Sequence, residues 1–172
     1  LLRGADREAG ARAGLQPVHW QTLRYLAACN RYSDTPAGIV EFLGQTKGTV
    51  SQSIKVLEAK RLLEKLADAV DRRVVHLRLT DAAAALLDEV GTDRRVRQAA
   101  AQLPPETKIA LNDGLRQLLR SLQLANGRKT FGPCASCRFN ERTADGSRCG
   151  LTGDLLSDHD VTRICREHAA AD

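Results

Sequence analysis

Four cysteines in the last quarter of the chain constrain its fold more than any other feature of the sequence. They are Cys134, Cys137, Cys149 and Cys165, so a C-x-x-C pair is followed by cysteines after eleven and then fifteen intervening residues. Two thiolates on one short Pro/Gly turn can bind a single metal, and two further thiolates can complete a four-sulfur site. The sequence therefore predicts a metal-binding module at residues 128–172.

The spacing fits more than one kind of centre. A structural zinc site would use four thiolates, or three thiolates and His168. An iron–sulfur cluster tolerates one close pair and two dispersed thiolates, and the remaining alternative is free thiols or redox disulfides. Zinc ribbons usually carry two C-x-x-C pairs, whereas this segment has one. We expect one four-cysteine centre per chain, holding zinc or an iron–sulfur cluster, and we expect His168 to be a helix-end cation rather than a ligand.

A short helix is expected near the end of the module. Ser157 is a candidate N-cap with Asp160 three residues later, and Leu156 can pack on Val161 across the cap. Val161, Ile164, Cys165 and His168 fall on one face of this helix, so Cys165 is expected to point into whatever the helix covers. The module has few large apolar residues, so its fold is expected to depend on its metal, with a core separate from that of the preceding domain.

Composition and charge limit the class of protein. Of 172 residues, 42% are hydrophobic, which is enough for a packed core. No apolar run approaches the ~18 residues of a membrane span, and no charged-then-apolar leader opens the chain. We therefore expect a cytoplasmic protein without a membrane partner. The net charge of +5 comes entirely from residues 1–127, which contain 19 basic and 14 acidic residues; this bias is compatible with nucleic acid.

A helix-turn-helix is predicted in the first half of the chain. A helical pattern covers residues 15–30, and a short helix follows with Thr35 as its cap and Gly44 at its end. The next helix is predicted to run to about Arg61 and carries small polar and basic residues opposite its apolar stripe. Such a face suits the major groove, although a solvated helix face is the plain alternative. The candidate DNA contacts here are Thr46, Lys47, Thr49, Ser51, Gln52 and Lys55.

A β-hairpin is predicted directly after these helices. Residues 62–66 and 74–79 have strand patterns, and the polar stretch between them forms the tip. A hairpin in this place is a wing, whose Arg72 and Arg73 can contact phosphates or the minor groove. Asp71 beside them can orient an arginine through a bidentate pair.

On these residues, the chain resembles the MarR family of winged-helix transcription regulators over roughly residues 15–122. The sequence departs from the family in two places: residues 61–63 replace the usual glycine before the first wing strand, and the alanine run 82–85 replaces a common glycine after Leu-Thr. The motifs that carry the resemblance are Val50–Glu58, Leu62–Lys65, Asp71–Arg73 and Leu77–Thr80.

The resemblance implies a homodimer that binds a palindromic operator in double-stranded DNA. Its interface would use the N-terminal helix and two C-terminal helices, predicted here from Asp81 to about Gln102 and from Pro104 onward. The second carries an apolar stripe that is either a dimer seam or intrachain core: Ile109, Leu111, Leu115, Leu118, Leu119 and Leu122. The family also binds small effectors in a pocket that His19 and Trp20 would line. Some members sense redox state through cysteine, a role that would fall to Cys29, but core packing is the plainer interpretation of these three residues.

Together these patterns predict a mainly α fold with a small β-hairpin wing. Residues 1–127 would form the winged helix, with its core at about 33–80, and the dimerisation helices; residues 128–172 would form the cysteine module. The expected function is DNA-binding transcription regulation, as repressor or activator, with a centre that stabilises the protein or senses redox state or metal. The alternative is an adaptor whose cysteine module docks a partner protein. A metal-dependent enzyme is not expected, because four thiolates leave no open coordination position.

Overall fold

The structure is a computed structural model that describes residues 13–90, 92–125 and 130–170, except for the side chains of 89, 90, 92–95 and 97. The predicted N-terminal dimerisation helix and the predicted boundary at 127/128 lie outside the described residues. Across the described ranges, no helix is both long enough and apolar enough to span a membrane.

Helices and one hairpin form the first part of the chain, as predicted. The hairpin strands pair antiparallel, with Leu63 opposite Leu79. The prediction of a helix from Asp81 to about Gln102 agrees with the helical residues on both sides of Gly91, which itself lies outside the described residues. The elements are α1 Pro17–Ala28, α2 Pro36–Leu43, α3 Lys47–Ala59, β1 Leu63–Ala67, β2 Val75–Leu79, α4 Asp81–Val90, α5 Thr92–Ala101 and α6 Pro105–Ala125.

Local capping sets the ends of the helix-turn-helix. The Thr35 hydroxyl accepts a hydrogen bond from the Gly38 amide, and Gly44 ends α2 in the left-handed conformation at φ 63°. Thr46 then caps α3 by accepting from the Thr49 amide. Arg61, between α3 and the first wing strand, also has a positive φ of 56°. This left-handed conformation is less favourable for arginine than for glycine.

A shared core holds α1, α2, α3 and the hairpin together. Leu23, Ile39 and Leu57 from the three helices are fully buried, and Leu63 and Leu77 from the two strands pack with them. Truncating such a leucine to alanine costs about 2–5 kcal/mol. The core therefore fixes the positions of α3 and the hairpin relative to each other.

The cysteine module consists of short strands, a 3₁₀ turn and one helical turn. The elements are β3 Gly132–Pro133, the 3₁₀ turn Cys134–Ser136, β4 Asn140–Thr143, β5 Gly146–Cys149, β6 Leu155–Leu156, α7 Asp158–Val161 and β7 Ile164–Cys165. Strand β3 pairs with β7, and β5 lies between β4 and β6, all antiparallel.

The predicted helix near the end of the module is confirmed at its start and wrong beyond its first turn. Ser157 and Asp160 form the predicted capping box. The helix ends at Val161, however, and Cys165 lies on β7, where it pairs with Gly132. His168 is therefore not a helix-end cation; its ring packs against Gly132 and lies near the Ser136 hydroxyl, and burial lowers its pKa.

The module packs directly on the winged helix. Phe131 meets Phe42 of α2 edge to face, with 5.2 Å between ring centroids. The Arg166 guanidinium donates to the Glu41 carboxylate of the same helix at 2.6 Å. Ile164 of β7 packs against the winged-helix core. The buried residues form two separate clusters, as the sequence predicted, and these side chains bring the two clusters into contact.

Candidate nucleic-acid interface and cysteine site

The outward face of α3 carries polar and basic side chains. Its inner face, formed by Val50, Ile54 and Leu57, is buried in the core. Because residues three and four apart share a helix face, this packing turns the other side to solvent. All of the predicted helix contacts are exposed: Thr46, Lys47, Thr49, Ser51, Gln52 and Lys55. Two of them also interact locally, since the hydroxyls of Thr46 and Thr49 are 2.9 Å apart.

The wing tip contains the predicted acid–arginine pair. Arg73 donates to both carboxylate oxygens of Asp71, from Nε at 2.9 Å and from Nη2 at 2.8 Å. Hydrogen bonds from Arg73 lower the pKa of Asp71, so the carboxylate stays charged at neutral pH. The Arg73 side chain is 90% exposed, and Arg72 is exposed beside it. The tip therefore presents two guanidinium groups to solvent, one of them held in orientation.

A histidine that the sequence analysis missed connects the wing to the helices. His76 on β2 has its Nδ1 2.5 Å from the Asp34 carboxylate and its Nε2 3.1 Å from that of Asp68. Only the imidazolium can donate from both ring nitrogens. The hydrogen bond to Asp34 is the main cause that raises the pKa of His76. The alternation of β2 placed His76 correctly, but nothing local indicated its two partners.

The four cysteines of the module come together around one small cavity. Its volume is about 60 Å³, and Cys134, Cys137, Cys149 and Cys165 all line it. Cys134 and Cys165 are buried, and the other two are half-buried. Cysteines as far apart in the chain as Cys134 and Cys165 thus line the same cavity. Within the part of the chain that the structure describes, however, no group of three or more histidine, cysteine or acidic side chains is arranged closely enough to hold an ion as it stands.

Hydrogen bonding distinguishes the four sulfurs. The hydrogen bond between Cys134 and Cys165 lowers the pKa of Cys165 and raises that of Cys134. Asn30 of the winged helix donates from Nδ2 to the Cys134 sulfur at 3.3 Å. The Ala169 amide donates to the Cys137 sulfur at 3.5 Å. A sulfur that accepts such donors is stabilised as the thiolate, which is the form that binds metals.

The residues predicted for an effector pocket or for redox sensing occupy different environments. Trp20 lines an open cleft of about 770 Å³ between α1, α2, α4 and the module. His19 is buried, and its Nδ1 accepts from the Gln16 amide at the start of α1. Cys29 is also buried, and burial raises the pKa of its thiol to about 12. It is therefore protonated at neutral pH, the form that reacts slowly.

Comparison with known proteins agrees with the fold of the first part. A MarR family model, MarR_2, matches residues 13–74. No curated protein sequence is similar enough to the chain to count as a match.

Solved structures of MepR, a transcription regulator of the Staphylococcus aureus multidrug efflux pump MepA, are similar to this chain. A mutant from a multidrug-resistant clinical isolate is 26% identical, with 71% of this chain and 89% of that chain covered and a TM-score of 0.59. The MepR–DNA complex is 26% identical over 70% and 91% of the two chains, with a TM-score of 0.51. MepR bound to ethidium bromide is 26% identical over 71% and 89%, with a TM-score of 0.51. Together with the matched segment, these structures give the first part of the chain a MarR-type winged-helix fold.

Proposed function

We propose that the chain is a DNA-binding transcription regulator, with α3 in the major groove and the hairpin as a wing on the flanking DNA. The observation that carries the proposal is the exposed polar face of α3 beside the basic tip at Arg72 and Arg73. The similarity to MepR, which has been solved in complex with DNA, supports it. Groove-facing side chains specify the sequence, and the wing adds affinity through phosphates.

The regulator acts as a homodimer on a palindromic operator. Helix α6 supports this assembly, because none of its described side chains is buried. A long apolar stripe exposed on one chain is typical of a surface that pairs with another copy. The exposed apolar residues of α6 are Ile109, Leu111, Leu115, Leu118, Leu119, Leu122 and Leu124.

A substitution on α3 tests the DNA-binding proposal. Gln52 is exposed in the middle of the outward face, so Gln52→Ala removes a base-reading amide without touching the core. We expect the variant to lose discrimination between operator and random DNA, by about 1–3 kcal/mol per base pair read. Glu58→Gln, on an exposed position near the end of the same helix, is the control. Equal loss of operator and random binding by Gln52→Ala would contradict base reading.

The cysteine module holds a metal centre ligated by Cys134, Cys137, Cys149 and Cys165. Convergence of the four sulfurs on one cavity supports the proposal, as do the N–H donors aimed at two of them. His168 does not line the cavity that the four cysteines share, which favours four thiolates over three thiolates and a histidine. A four-thiolate set suits zinc or an iron–sulfur cluster. Metal and sulfide analysis of anaerobically purified protein, with its visible spectrum, distinguishes the two.

A small-molecule effector is proposed for the cleft that Trp20 lines. Among the described residues, the buried Nε1–H of Trp20 has no hydrogen-bond acceptor, and such a donor is expensive to leave unpaired. The ethidium complex of MepR makes an aromatic cation a reasonable first probe. Quenching of Trp20 fluorescence, the chain having a single tryptophan, reports binding.

A further inference from the structure

The cysteine site receives a hydrogen-bond donor from the winged helix. Asn30 is 1% exposed, and its Nδ2 lies 3.3 Å from the Cys134 sulfur. The orientation of the amide is fixed by the other end of the group, where Oδ1 accepts from the Ser33 hydroxyl at 2.7 Å and from the Tyr32 amide at 3.2 Å. With both donors directed at the oxygen, the NH₂ group necessarily faces the sulfur.

Asn30 belongs to a connecting turn, residues 29–34, on which the module is seated. The Asn30 amide donates to the Ile164 carbonyl at 2.9 Å, and the Arg166 amide donates to the Ser33 hydroxyl at 2.9 Å. These two bonds lie on either side of Cys165 along the chain. The strand that carries a cysteine of the site is therefore fixed to the turn at both of its flanks.

The same turn contacts the elements that would read DNA. The carbonyl of Ser33 accepts from the Tyr25 hydroxyl and lies so close to Gly38 of α2 that a Cβ there would be 2.3 Å from it. The carbonyl of Asp34 accepts from the Leu77 amide of β2 at 2.7 Å. Because the backbone of the turn is in direct contact with α2 and β2, a displacement of the turn has to move α2 or the wing.

We propose that Asn30 is a positioning residue of the four-cysteine site, through which metal binding sets the position of the connecting turn and so of the DNA-reading helices. The inference rests on the proposed metal centre and goes beyond it, since a centre that merely stiffens the module needs no donor from the winged helix. Hydrogen bonds to coordinating sulfurs tune metal affinity and redox potential. By linkage, metal and operator DNA then alter each other's affinity by the same factor.

A matched pair of variants separates this role from simple docking of the module. Asn30→Ala removes the donor to the sulfur. Tyr32→Phe removes a different hydrogen bond across the same interface, from the Tyr32 hydroxyl to the Asp154 carboxylate at 2.9 Å, and keeps the ring. Asn30→Asp is the second variant, because it retains the acceptor oxygen for Ser33 and loses the donor.

The experiment uses the full chain, anaerobic and metal-free, titrated with Co²⁺, whose thiolate charge-transfer band reports both binding and the environment of the sulfurs. An operator is first selected from random duplexes with the wild-type protein. Operator affinity is then measured for the loaded and metal-free forms of each variant. We expect about 10–100-fold weaker Co²⁺ binding and a shifted band for Asn30→Ala and Asn30→Asp. In these variants we also expect the ratio of operator affinities of the metal-loaded and metal-free forms to move toward one. Tyr32→Phe should match the wild type in both measurements.

Other outcomes overturn specific parts of the argument. If the Asn30 variants bind Co²⁺ and DNA with the same affinities as Tyr32→Phe, Asn30 has no positioning role. That result would leave the proposed metal centre unaffected. If the wild type binds no Co²⁺ and contains no iron or zinc, the proposed centre itself fails. If both Asn30 variants misfold, amide hydrogen exchange of the wild-type protein tests the proposal instead. Residues 29–35 are expected to exchange more slowly in the metal-loaded protein than in the metal-free protein. Equal exchange rates in these two forms would refute the proposal.

Discussion

The wing arginines should set how steeply DNA binding depends on salt. Arg72 and Arg73 are exposed at the tip of the hairpin, and Arg73 is held by Asp71 through two of its N–H groups. The guanidinium still has N–H groups free of that pair with which to bind a phosphate. The perturbation is Arg72→Ala, followed by the double substitution with Arg73→Ala.

The size of the effect follows from counting phosphate contacts. Each contact contributes about 0.9 to the slope of log K against log salt, and a dimer has two wings. Arg72→Ala should therefore lower the slope by about 1.8, and the double variant by about 3.6 if both arginines reach phosphates. Between 50 and 200 mM salt, a change of about 1.8 in slope alters the ratio of wild-type to variant affinity by about twelve-fold.

Fluorescence anisotropy of labelled operator and random duplexes, over that salt range, measures the slopes. Operator and random DNA should show the same change, because phosphates carry no sequence information. Arg142→Ala is the control, since Arg142 is exposed on β4 of the module and its loss changes net charge equally. An unchanged slope in the folded double variant would refute the wing assignment, as would an equal effect of Arg142→Ala.

Two further predictions concern pH and assembly. The hydrogen bonds to Asp34 and Asp68 raise the folded-state pKa of His76, so the stability it contributes is fully present below about pH 6.5 and is lost as pH rises through the raised pKa. The difference in urea midpoint between wild type and His76→Gln should shrink from pH 6 to pH 9, and a constant difference contradicts the argument. Leu115→Glu with Leu119→Glu should convert the dimer to a folded monomer in light scattering, because both side chains are exposed on α6; a stable dimer would place the seam elsewhere.

Local signals predicted the winged helix well. Thr35, Gly44 and Thr46 set the helix ends through hydrogen bonds and a positive φ that involve residues within one turn, so single-sequence patterns contain the necessary information. The strands agreed within a residue because alternation of apolar side chains fixes which face is buried.

The end of the module shows where local pattern is insufficient. Val161, Cys165 and His168 recur at helical spacing, yet the helix stops at Val161. Two backbone partners distant in sequence decide the conformation of the next residues: Gly132 pairs with Cys165, and Asn30 donates to the Ile164 carbonyl. An extended strand offers its amides and carbonyls to such partners, whereas a helix would use them internally. Nothing near residue 165 in the sequence reveals either partner.

The same long-range contacts bring the two separate buried clusters, one in the module and one in the winged helix, against each other. Ile164 of the module packs against the winged-helix core, and Tyr32 of the winged helix packs against the cluster around Cys134 and Cys165. Each part thus contributes a partly buried side chain to the surroundings of the other's core. Because a core that loses a buried partner is destabilised, loss of order in the cysteine module will weaken the connecting turn and the helices that rest on it. Stability of the module and geometry of the DNA-reading helices are therefore linked through packing as well as through the hydrogen bond of Asn30.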